Sequence, residues 1–199
     1  TEDGMVCPDG ALDTRTLART GVTAFFLNGC RSYEQGRALL TAGSVGGIVT
    51  VDDVMDEAAE TVGETVAALL GAGYPLYGIF DVLDRTGVPT DRYTVLGAGT
   101  FSARGSQSGT AMLYEFVEGD SSTDALPLSI HHYPHGQVDI GGVSSYAHAD
   151  CQAGVLSAST RAASLPRSEL EPYLSLSGIP TLVDGEIHFT DDLSADRFR

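Results

Sequence analysis

The chain has 199 residues, 42% of them apolar, which is enough for one well-formed core or for a domain with a smaller appendage. Its 27 acidic residues against 11 basic ones give a formal charge of -16; such a surface excludes nucleic acid as a partner, because phosphate binding needs clustered cations, and reads as an adaptation to concentrated salt, which screens carboxylate self-repulsion. No apolar run reaches the ~20 residues of a membrane helix and no signal segment opens the chain, so the expectation is a soluble, cytoplasmic protein with no membrane partner.

The chain starts at Thr1 without methionine and passes through the turn-like stretches TEDG and CPDG, which reads as a fragment or a processed product. Val22 to Asn28 is a compact apolar run bounded by Gly21 and Gly29, the pattern of a buried strand. Ser32 is placed to cap a helix over Tyr33–Ala42, closed by Gly43. Gly46 to Val51 is a second buried strand, with Asp52 and Asp53 at its carboxyl end. Ala58, Val62, Val66, Leu69 and Leu70 recur at helical spacing within Val54–Leu70. Pro75 opens a further helix to about Arg85, and Tyr93–Leu96 reads as a third strand.

This order of elements predicts an α/β fold, a mostly parallel sheet flanked by helices on both faces. In such sheets chemistry collects beyond the carboxyl ends of the strands, where Cys30 and Asp52 are expected. After Phe101 the texture changes to small-residue and polar loops, 105–109 and 119–124, around strand-like pieces such as Met112–Val117 and Glu186–Phe189. Two regions follow: 1–103, and a β-rich accessory region, 104–199, with a role in regulation or contact with protein partners.

Cys7, Cys30 and Cys151 are odd in number and lack CxxC spacing, which argues for reduced thiols and against a disulfide framework or zinc knuckle. Cys30 stands at a strand-to-helix junction, where backbone N–H groups and the positive end of a helix dipole stabilise a thiolate and an oxyanion. Cysteine is also among the most buried residue types, and spacing alone leaves nucleophile and small core residue both open. His131, His132 and His135, with His148 and Cys151 nearby, have the donors for a metal, but the spacing matches no familiar site, and adjacent strand residues face opposite ways. They are read as polar loop and strand-face residues; no metal or cofactor is expected. Phosphate loops, HExxH and GxSxG are absent, and Gly97-Ala98-Gly99 is too short for a dinucleotide loop.

The segments PDGALD, FFLNGCRSYEQG, GSVGGIVTVDDV and GETVAALLGAGYPL, from Asp9 to about Ala98, resemble the carboxyl-terminal half of a CHAT domain, a caspase-like family, and most closely its haloarchaeal members. The most specific piece is the apolar strand ending in Asn-Gly-Cys-Arg-Ser, where glycine at 29 replaces the more usual alanine. The resemblance implies a caspase-hemoglobinase fold and peptide-bond hydrolysis by a His–Cys dyad, with Cys30 as nucleophile and the backbone N–H groups of Gly29 and Cys30 as the oxyanion hole. It implies that Asp52 and Asp53 border the pocket for the substrate residue before the scissile bond, where carboxylates would favour Arg or Lys. It also implies a dyad histidine before Cys30. All five histidines of this chain come after it, so the partner is expected upstream of Thr1. The alternative is a catalytically inactive module that keeps the fold and binds other proteins.

Overall fold

The computed structural model describes residues 4–103, 110–117, 124–134 and 159–198. A short hairpin of β1 (Met5–Cys7) and β2 (Gly10–Leu12) comes first. The first main sheet has the order β3 (Ala24–Leu27), β4 (Gly46–Thr50), β5 (Tyr93–Gly97). Helix α1 (Tyr33–Thr41) joins β3 to β4, and α2 (Asp56–Gly71) and α3 (Leu76–Thr86) follow in succession before β5. The chain is thus mixed α/β, and its first half follows the expected order of elements within one or two residues at each boundary.

The pairing departs from the expected mostly parallel sheet. Strands β3 and β4 are parallel, with Ala24 opposite Gly46 and Leu27 opposite Val49, but β5 runs antiparallel to β4, with Tyr93 opposite Thr50. The reason is the number of helices in the connection. A single crossover helix returns the chain to the start of the sheet and yields a parallel strand. Here α2 carries the chain back and α3 carries it forward again, so β5 begins at the rim where β4 ends.

The described residues after 109 form the β-rich region expected from the sequence: a five-stranded sheet in the order β10 (Glu186–Phe189), β9 (Pro180–Val183), β6 (Thr110–Phe116), β7 (Ala125–Pro134), β8 (Ser159–Pro166), with the one-turn helix α4 (Glu171–Leu174) between β8 and β9. Among the described residues of this sheet, the β6–β9 pair is parallel and the other pairs are antiparallel. The expected linker at 105–109, and His135, His148 and Cys151, lie outside the described residues.

The core crosses the boundary read at residue 103. Ile48 of β4, Val62, Val66 and Leu69 of α2, and Leu76, Ile79, Val82 and Leu83 of α3 are fully buried in one cluster with Leu113, Tyr133 and Leu182 of the second sheet. The α2–α3 layer is therefore packed on both sides. Tyr133 sits against Tyr74, ring centroids 5.4 Å apart, and Gly78 of α3 allows this approach, since a Cβ there would lie 3.0 Å from the Tyr133 ring. The other face of the second sheet is closed by a separate cluster around Phe116, Leu128, Leu170 and Phe198.

Polar side chains lock α3 onto that sheet. The Tyr133 hydroxyl donates to Asp81 at 2.6 Å, Arg85 bridges Asp81 at 2.9 Å and Glu115 at 3.2 Å, and His131 meets Glu115 at 2.7 Å. Partial burial opposes ionisation of Asp81, but the bonds from Tyr133 and Arg85 outweigh it and hold the carboxyl below its usual range. His131 is thus a buried, partnered strand residue. Among the described residues no group of three or more His, Cys, Asp or Glu side chains is arranged to hold a metal, and no helix is long and apolar enough to cross a membrane.

The close β3–β4 contact depends on Gly47, where a Cβ would overlap the ring and the carbonyl oxygen of Phe25. Backbone oxygen cannot move aside as a flexible side chain can. Gly47→Ala is expected to lower stability by about 2 kcal/mol, the usual scale of overpacking, read as a shift of the urea midpoint at unchanged slope.

Candidate functional site

The strand β3 ends at Leu27, and the next five residues form a turn held from several directions. Asn28 donates through Nδ2 to the Ala59 carbonyl of α2 at 2.7 Å and accepts the Tyr93 hydroxyl at 2.8 Å. Burial raises the Tyr93 phenol above its ordinary range, with Cys30 as a lesser cause, so it stays a proton donor to Asn28. Tyr93 reaches this point because β5 runs antiparallel and starts at the rim.

Further along the turn, Ser32 and Thr50 form a buried pair, 3% and 0% exposed. Ser32 Oγ donates to the Leu27 carbonyl at 2.8 Å and accepts the Thr50 N–H at 3.0 Å. Thr50 Oγ1 accepts the Ser32 N–H at 3.0 Å and donates to the Gly29 carbonyl. Each hydroxyl has one proton, and both protons are used. Ser32 is therefore a strut between β3 and β4; it stands at the amino end of α1, but its side chain makes no bond to the helix, which corrects the capping role read from the sequence.

Between these anchors lies Cys30. It is half-buried, and its Sγ lies 3.7 Å from the Val54 carbonyl oxygen with the thiol as donor. The residue is therefore at the rim and not sealed in the core. Arg31 completes the turn at φ 53°, the left-handed region that side chains with a Cβ seldom occupy, and its N–H donates to the Asp52 carbonyl at 3.3 Å. Among the described residues, the N–H groups of Gly29 and Cys30 have no hydrogen-bond acceptor, as donors to a developing oxyanion would require.

Asp52 and Asp53 are at the carboxyl end of β4, next to this turn, but they are engaged. Arg31 contacts Asp53 at 3.0 Å and Asp52 at 3.8 Å, and Arg92, just before β5, contacts Asp52 at 3.6 Å. Two carboxylates face two guanidinium groups. The described histidines are elsewhere: His131 and His132 on β7 and His188 on β10, all in the other sheet. The structure thus brings together Gly29, Cys30, Asp52 and Asp53, gives Asn28 of the same motif a bracing role, and adds Thr50, Tyr93 and Arg92, which sequence reading did not single out. Thr50 and Tyr93 were visible only as a strand end and a strand start, and pairing direction is what joins them.

The outer edge of β3 has no strand partner among the described residues. Beside it runs a groove of about 540 Å³ lined by Ala24, Phe25 and Phe26 with Leu70, Leu76 and Phe101. No family model, curated protein or solved structure matches the chain.

Proposed function

We propose that this chain carries the nucleophile of a caspase-like cysteine peptidase centre of CHAT type, completed by a histidine from a preceding strand that pairs along the open edge of β3. The observation that supports the reading best is the half-buried Cys30 at the rim, in a turn braced on three sides, with two unspent N–H groups beside it. In the complete site the imidazole takes the Cys30 proton, and the thiolate attacks the peptide carbonyl while the Gly29 and Cys30 N–H groups hold the oxyanion. The carbon–nitrogen bond then breaks, the amine leaves with the proton, and water releases the acyl group from sulfur. The same imidazole serves as base for that water.

The rival reading, a non-catalytic module that binds other proteins, is favoured by one observation: no described histidine comes from the elements that build the site. Labelling of the full-length product by a peptide acyloxymethyl ketone in concentrated salt separates the two. Stoichiometric modification that disappears in Cys30→Ala is the expected result. Modification that survives the substitution, or none at all, supports the module.

A further inference from the structure

The four charged side chains at the rim bear on which substrates the site takes. The resemblance to CHAT domains implies that Asp52 and Asp53 receive an Arg or Lys side chain, yet both carboxylates are held by Arg31 and Arg92. One of these guanidinium groups also holds backbone, since Arg92 donates to the Asp53 carbonyl, and the Asp53 N–H donates to the Asp52 carboxylate at 2.8 Å. A cationic substrate side chain would have to displace an arginine already in place. A second observation points elsewhere. Tyr33, Val51 and Met55 are 37%, 46% and 76% exposed, and they stand where α1 begins, β4 ends and α2 begins, the three element ends that flank the Cys30 turn in the chain. Met55 directly follows Val54, whose carbonyl meets Sγ. Exposed apolar side chains gathered at one rim gain by covering, and methionine adapts its shape to what covers it.

We propose that Arg31, Asp52, Asp53 and Arg92 are a self-neutralised clamp that positions the Cys30 turn, and that the substrate side chain next to the reacting carbonyl is uncharged and apolar, received by Met55 and Val51. The substrate statement rests on the peptidase reading; the character of the surface around Cys30 does not. The chain's own thiol can report it through methanethiosulfonates, in which the thiolate bonds to the reagent sulfur and methanesulfinate leaves. The reagents are methyl, benzyl and trimethylammonium-ethyl, each rate being taken relative to a small free thiol and followed on the Cys30 peptide by mass. Work in 1 M salt, where the Debye length is about 3 Å, removes the pull of the acidic surface as a whole.

The benzyl reagent is expected to react about fivefold faster than the methyl one, the scale of one good apolar contact, and Met55→Ser should erase the difference. The cationic reagent should gain less than about threefold, as for an exposed site whose charges cancel. Asp52→Asn with Asp53→Asn should slow all three reagents together, as loss of positioning would. A larger cationic advantage that vanishes in the double variant, or equal benzyl and methyl rates, overturns the proposal. The peptidase reading fails separately, if no peptide electrophile labels Cys30 in the full-length product.

Discussion

A chain ending at Ala103 will show no cooperative thermal transition and will bind a dye that reports exposed apolar surface, in salt where the full chain melts sharply. The boundary suggested by the change of texture near residue 103 makes the first region look self-sufficient. The packing says otherwise, because Tyr74, Leu76, Ile79 and Leu83 of the α3 segment share their cluster with Leu113, Tyr133 and Leu182 from beyond it. Exposing a fully buried Leu, Ile or aromatic side chain costs about 1.5–3 kcal/mol. Even partial exposure of these four therefore removes about 5 kcal/mol, the lower bound of what domains of this size possess. The bonds from Tyr74 to the Met112 carbonyl and from Tyr77 to the Pro134 carbonyl at 2.6 Å are lost as well. A sharp transition with no dye binding would show that the first sheet and its helices stand alone. Tyr133→Ala in the full chain is the milder form of the same test, and its midpoint should fall without loss of cooperativity.

What was legible in the sequence follows the range of the interactions. Short apolar runs, bounded by glycines for β3 and ended by the Asp52-Asp53 pair for β4, located the two strands, and helical spacing located the buried face of α2, because these patterns are written within a few consecutive residues. Their common end also followed, so Cys30 and Asp52 were expected at one rim and are found there. Contacts between distant segments left no local trace. The pairing of Asp52 with Arg92 joins residues 40 apart in number, and nothing around Val51-Asp52-Asp53 signals a guanidinium arriving from the start of β5. The direction of β5 was implicit in the two successive helices, but the pattern was read as a mostly parallel sheet. The Ser32 hydroxyl was read as a cap because capping is the commonest use of serine before a helix; the buried Thr50 opposite it makes the strand-to-strand bond the better satisfied alternative.

That Ser32–Thr50 pair supports the second large effect. Thr50→Val keeps shape and volume and removes only the hydroxyl. The Ser32 N–H, buried with its side chain, then loses its acceptor, at a cost of about 1–3 kcal/mol. The Gly29 carbonyl loses its donor too, though Gly29 is exposed and water can replace that bond. The expected fall in stability is therefore about 3 kcal/mol, set mainly by the orphaned N–H. The functional effect should be larger than this figure suggests. Thr50 holds the turn on both sides of Cys30, at Gly29 and at Ser32, so without it the sulfur and the neighbouring N–H groups no longer share one fixed geometry. Thr50→Ser restores the hydroxyl and should recover most of both losses, whereas a generic packing defect at this fully buried site would make serine, short of one methyl, worse than valine. Urea unfolding of the two variants beside the wild type, with the rate of Cys30 alkylation by iodoacetamide as the readout of turn geometry, distinguishes these outcomes. Equal stability of Thr50→Val and wild type would mean that the buried hydroxyl pair does not brace the turn.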